Sequence, residues 1–164
     1  MVIGVRRLPL LLTVLAVAVC GSAQIRRREI EVKPRAVEQR IFALVNEERK
    51  KEGAVELSWD DELAFEARRH SFNMVARWFF SHEDPIRGDL AKRLRGDKIV
   101  WRFCAENIFS EQGYPDPSRA AVEGWLSSPG HRANMLNPKL VRTAIGVSQR
   151  TDGVVFVTQE FIQP

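Results

Sequence analysis

Three histidines occur in this 164-residue chain, His70, His82 and His131. Two of them stand where a site can be assembled. His82 closes the run Phe79-Phe80-Ser81, and His131 follows Ser128-Pro129-Gly130. Glu106 lies between them, 24 residues from one and 25 from the other. Imidazole titrates near neutral pH, so with a carboxylate it can ligate a metal, hydrogen-bond or move a proton. His82, His131 and Glu106 form a donor set suited to zinc, with three protein ligands and an open position for water. The same groups also form a metal-free, hydrogen-bonded cluster that closes a cavity and orders its loops. No His-Glu-x-x-His motif favours the metal. A buried Glu106 must be paired or hydrogen-bonded, and Asn107 beside it reads as a structural bridge.

Other reactive side chains have plainer explanations. Ser127 and Ser128 lie near His131, but no Gly-x-Ser-x-Gly elbow is present, and a Ser-Pro-Gly turn accounts for both as turn and capping groups. Cys104 reads as a small buried hydrophobe, because a nucleophilic thiol needs a base and a lowered pKa. His70 falls on the edge of an apolar helical face and reads as a boundary histidine with one hydrogen bond. Trp125 reads as a core anchor.

Periodicity supplies the elements that must position these groups. Val37, Ile41, Leu44 and Val45 predict a helix over 35–52, stopped by Gly53. Asp60 or Asp61 caps a second helix in which Leu63, Ala64, Ala67, Ser71 and Met74 repeat at helical spacing. A short helix is expected over Leu90 to Arg95, and extended structure from Ile99 to Phe109. Pro117 opens a further helix with Ala121, Val122 and Trp125 inward. Ser128-Pro129-Gly130 breaks it, and His131 to Leu136 forms another turn or two before Asn137-Pro138. Thr143 to Ser148 and Val154 to Phe161 are β-rich, and Asp152-Gly153 between them signals an antiparallel hairpin. Helices early and strands late point to an α+β fold.

The first 23 residues stand apart. Arg6-Arg7 precede the uncharged run Leu8 to Val19, and Cys20-Gly21-Ser22-Ala23 supply small residues for cleavage after Ala23. The apolar run is shorter than the roughly 20 residues a membrane span needs, so an exported chain with no stable span after cleavage is expected. Residues 24–36 form a basic tail and 37–164 the domain. Losing Arg6 and Arg7 lowers the formal charge from +4 to +2. With only Arg26-Arg27-Arg28 clustered, nucleic-acid binding is not expected. The mature chain keeps Cys104 alone, so packing rather than an internal disulfide must hold it.

A series of blocks spans about residues 38–162: LVNEERKKEG from Leu44, LSWDDELAFEARRHSFNM from Leu57, FFSH, AENIF, EGWLSSPGHRANML, AIGV from Ala144 and VTQEF from Val157. In this order they resemble the CAP superfamily (cysteine-rich secretory proteins, antigen 5, pathogenesis-related 1) in its short bacterial form. The resemblance implies a three-layer α-β-α sandwich with a central antiparallel sheet. It also implies a cavity lined by two histidines and two acids. His82 and Glu106 match one histidine and one acid of that motif. Where eukaryotic members carry the second acid and second histidine this chain has Ser128 and Phe156, and the bacterial pattern offers His131 instead. The expected function is an exported, non-enzymatic module for a small apolar molecule, a cell-wall component or a protein, needing no cofactor. The alternative is a protease-like hydrolase using His82, Glu106 and His131, with or without a divalent metal such as zinc.

Overall fold

A computed structural model describes residues 32–164; the expected leader and most of the basic tail lie outside the described residues. Helix α1 spans Pro34–Lys51 and begins at the proline, whose fixed φ suits a first helical turn. Helix α2, Asp61–Ala76, is capped by Asp60, which accepts from the Glu62 and Leu63 N–H groups. Helix α3, Leu90–Gly96, is capped by Asp89, and α4, Pro117–Ser127, by Asp116. Helix α5, Pro129–Leu136, follows after one residue. The helix break expected over Ser128-Pro129-Gly130 narrows to Ser128, because Pro129 already occupies the first position of α5.

Four strands, β1 (Ser58–Trp59), β2 (Phe103–Gln112), β3 (Arg142–Gln149) and β4 (Val154–Gln163), form one sheet in the order β1-β3-β4-β2. The long strands pair antiparallel, with Glu106 opposite Glu160 and Ala144 opposite Glu160 on the other side. The two-residue β1 pairs parallel to β3, so the sheet is mixed rather than wholly antiparallel. Strand β2 starts at Phe103 and not at Ile99. Lys98 turns the chain with φ 62° after α3, and Ile99 is buried against that helix's cluster.

Helices α1, α4 and α5 cover one face of the sheet, and α2 and α3 the other. The first layer closes a core of Ile41, Val45, Trp125, Ile145, Val157 and Phe161. The second packs Leu63, Ala64 and Leu94 on Ala144 and Ile162. Alternation along β4 divides its side chains, sending Val157 and Phe161 to one core and Ile162 to the other. The fold is thus an α+β, three-layer sandwich, with β2 at one open edge of the sheet.

Two backbone positions matter below. A Cβ on Gly146 of β3 would lie 2.1 Å from the Ala67 carbonyl carbon, so α2 rests directly on this glycine. At the far end of α2, Trp78 takes φ 55°, while Phe79 N–H bonds to the Met74 carbonyl. That is a helix-ending geometry that favours glycine, and a side chain there costs about 1–2 kcal/mol.

Candidate functional site

Glu106 points from edge strand β2 into the α2–α3 layer, where it meets His82 in the middle of the loop between those helices. His82 Nδ1 lies 2.8 Å from Glu106 Oε1, and the His82 side chain is 54% exposed. The other oxygen, Oε2, accepts from the guanidinium of Arg93. Arg93 is completely buried and also donates to Glu66 Oε1 at 3.1 Å, Glu160 Oε1 at 3.2 Å and the His82 carbonyl at 2.7 Å. One cation from α3 therefore fastens a carboxylate from each of α2, β2 and β4, together with the histidine loop. Arg87 extends the network by donating to Glu66 at 2.6 Å and to Asp97 at 3.1 Å. Buried Asp84 shapes the intervening loop, accepting from the Ile86 and Arg87 N–H groups and from Asn73.

The charge states follow from burial and partners. Burial, then the Glu66 charge, raises Glu160 well above the ordinary carboxylate range. Burial alone would also raise Glu66, but a hydrogen bond with Glu160 and the charges of Arg93 and Arg87 bring it lower. Burial thus favours the protonated form of Glu160, next to Glu66, whose cationic partners favour its ionised form. Two carboxylates then bear one negative charge in a space that could not hold two. His70, fully buried on α2, has Nε2 3.0 Å from the Ser81 carbonyl, which requires the proton on that nitrogen. Its pKa is lowered, first by burial.

Glu160 and His70 make opposite contributions to stability. Folding keeps a proton on Glu160 that the unfolded chain releases above its ordinary pKa of 4.5, so this contribution falls as pH rises towards the folded value. His70 resists a proton that the unfolded chain takes up below 6.5, so its contribution falls as pH drops through that value. Glu160→Gln retains a donor towards Glu66 and removes the titration. Its stability relative to the parent should therefore be higher at pH 8 than at pH 5, as urea titrations at the two pH values would read. A difference independent of pH would show that Glu160 holds no extra proton.

His131 comes from the opposite layer. It stands in the first turn of α5, and its ring centre lies 6.2 Å from that of His82, with the rings tilted by 45°. The two helical layers thus reach around the β2 edge to bring the imidazoles together. Burial, followed by the proximity of His82, lowers the His131 pKa. Asn107, facing the α5 side, donates to the His131 carbonyl at 3.1 Å and accepts from Asn134 at 3.0 Å. Asn134 also donates to the Glu106 carbonyl, and Trp125 Nε1 to the Ile108 carbonyl at 3.0 Å. Ser128 ends α4 and begins α5, but its hydroxyl makes no cap hydrogen bond.

His82 and Glu106 line an open cleft of about 460 Å³ with Asp89, Leu90, Ala91 and Cys104. Burial, then nearby Asp89 and Glu106, raises the Cys104 thiol, which opposes thiolate formation. Zinc fits this arrangement poorly. Both Glu106 oxygens are occupied, one by a guanidinium whose charge opposes a second cation. Among the described residues no three His, Cys, Asp or Glu side chains group so as to hold a metal.

Sequence reading brings out His82, Glu106 and His131 but misses Arg93, Glu66 and Glu160. Faint signals exist for two of these. Glu66 precedes His70 by four residues on the inner face of α2, and Glu160 interrupts an apolar strand. Arg93 lies in a seven-residue helix with three other cations close by in sequence, and nothing in the pattern marks it for burial.

Known proteins share this architecture. A crystal structure of an extracellular SCP-domain protein from Bacillus anthracis is 34% identical, with a TM-score of 0.73 over 80% of this chain and 41% of that one. The uncharacterized protein YkwD of Bacillus subtilis is 35% identical over 127 residues, covering 77% of this chain and 47% of YkwD. The chain therefore spans less than half the length of either relative. An outer surface protein of Borrelia burgdorferi, 18% identical with a TM-score of 0.69, shares the fold. The family model for cysteine-rich secretory proteins matches residues 42–161. With its sandwich, its sequence blocks and this match in agreement, the chain belongs to the cysteine-rich secretory protein (CAP) family.

Proposed function

We propose that this chain is an exported, non-enzymatic binding module, whose cleft along the β2 edge receives a small apolar molecule, a cell-wall component or a protein segment. The observation that carries this reading is the commitment of Glu106. One oxygen holds His82 and the other is locked by buried Arg93, so the carboxylate serves as a strut that orients His82. A cleft built this way is rigid and pre-formed, as binding sites usually are. Export is supported by the expected leader and by the extracellular relative from Bacillus anthracis. Among the described residues no helix is long and apolar enough to cross a membrane. The module needs no metal, and nucleic acid is not its partner, since Glu83, Asp89 and Glu106 line the cleft. Thermal-shift screening with lipids, wall fragments and peptides tests the proposal, with a rise in melting temperature expected for one class. Melting curves with and without zinc at pH 7.5 should superimpose.

A hydrolase is the second reading, and one observation favours it. Glu106 fixes Nδ1 of His82, which leaves Nε2 as the acid–base atom of an oriented imidazole, with His131 close by. Against it, two nearby candidate nucleophiles are not activated: the Cys104 thiol is raised and Ser127 donates to the Glu123 carbonyl. Purified protein and the His82→Ala/His131→Ala double variant, assayed on a broad peptide library, separate the readings. Turnover by the parent that disappears in the variant would replace the binding module with an enzyme.

A further inference from the structure

Trp78 occupies a backbone position that suits glycine, with φ 55° at the end of α2, yet its side chain is 72% exposed. Burial therefore does little to offset the strain, and strain retained at an exposed aromatic points to use. The indole is held from one side. Arg150, from the β3–β4 hairpin, places its guanidinium 4.3 Å from the indole centre and 5.3 Å from that of Phe156. Asp152 pairs with Arg150 at 2.8 Å. Phe80, 50% exposed, leans on Phe156 with ring centres 6.3 Å apart. Phe79 and Ser81 meet buried His70, so Trp78, Phe80 and His82 form the exposed set of an alternating segment. Trp78 and Phe80 meet the same hairpin, the first through Arg150 and the second through Phe156, which Arg150 also covers. Exposed His82 follows Phe80 by two residues, so the aromatic strip adjoins the histidine loop in sequence.

We propose that this strip is a stacking platform for an uncharged glycan chain. The proposal rests on the binding-module reading and names its ligand class. A cation above the indole would be repelled by Arg150, and a polyanion would meet Glu83, Asp89 and Glu106 in the adjoining cleft. An acyl chain gains most when enclosed on several sides, whereas this strip offers contact on one side only. A sugar ring has an apolar C–H face and a rim of hydroxyls that stays in water, which matches a one-sided aromatic surface. Successive rings of a chain can then occupy the indole, the phenyl ring and the cleft in turn.

Calorimetric titration of the purified protein with two neutral probes, chitotetraose and cellotetraose, tests the platform. Binding of at least one is expected, weakened about tenfold or more in Trp78→Gly, equivalent to about 1.4 kcal/mol, and largely kept in Trp78→Phe. Trp78→Gly should melt no lower than the parent, because glycine relieves the strained position, so loss of binding cannot be ascribed to unfolding. Binding that is unchanged in Trp78→Gly, or lost equally in Trp78→Phe, would overturn the platform. So would the absence of binding by both probes. If lipids or peptides then still stabilise the protein, the binding module survives without the glycan; if no ligand class does, both readings fall.

Discussion

Arg93→Met is expected to destabilise the fold by about 3–5 kcal/mol, the range for removing one partner of a buried ion pair. That is a large share of the roughly 5–15 kcal/mol by which a domain is stable. The physical reason is buried carboxylates that lose their shared cation, with Arg87 reaching only Glu66 among them. Glu66 and Glu160 are fully buried and Glu106 nearly so, and all three accept from the Arg93 guanidinium. Methionine fills the volume but donates nothing. Glu66, whose ionised form Arg93 favours, is then pushed towards taking up a proton, which raises its pKa in the folded variant. A raised carboxylate pKa contributes stability that declines as pH climbs from the unfolded value towards the folded one. The deficit of Arg93→Met should consequently be larger at pH 7.5 than at pH 5, as urea unfolding at both values would record. Adding Glu66→Gln should recover part of it, because the two sites share a contact and are not additive. A deficit below about 1 kcal/mol at both pH values would mean the three acids are hydrated and Arg93 dispensable.

Gly146→Ala should be at least as damaging for a steric reason. The new methyl would lie 2.1 Å from the Ala67 carbonyl carbon and the Arg68 nitrogen, both backbone atoms of α2. Carbon atoms prefer separations of about 3.5–4.0 Å, so the helix must lift off the sheet by more than an ångström. Ser71 would be pulled from the Gly146 carbonyl and from Thr158 as the helix moved. Glu66 and His70 ride on the same helix, so the Arg93 network would loosen as well. Overpacking costs about 1–3 kcal/mol and sometimes more; with a rigid backbone as the obstacle, about 3 kcal/mol or more is expected. The melting temperature should fall by about 10 °C or more. Gly124→Ala is the matched control, because its methyl meets the Phe109 ring at 3.0 Å, a side chain that can yield. Equal effects at the two glycines would refute a rigid α2–β3 contact.

These residues also show what the sequence discloses. Features carried by local chemistry were legible: a cap at Asp60 or Asp61, the proline that opens α4, the turn between β3 and β4, and the inward stripe of α2. The ordered blocks single out His82, Glu106 and His131 as candidates, and the structure sets His82 beside each of the other two. What escaped depends on partners distant in sequence. Arg93 is buried because acids 27, 13 and 67 residues away converge on it, and no periodicity encodes that convergence. The same reason hid the commitment of Glu106, whose residue type alone fits a metal ligand as well as a strut. Gly146 looked like an ordinary strand residue, because the close approach that demands it lies on another helix.

The carbonyls of Glu106 and Ile108 lie on β2, an edge strand of ten residues, and accept from Asn134 and Trp125. An open edge normally presents such groups to any passing strand, and proteins must blunt that invitation to aggregate. Here two side chains from α4 and α5 occupy acceptors in the middle of the strand that an incoming chain would need, so that part of the edge is already satisfied. The fold's protection against self-association and the placement of its histidines are thereby one piece of architecture. Trp125→Phe combined with Asn134→Ala would reopen the edge, and the first sign should be concentration-dependent precipitation during storage rather than a changed ligand.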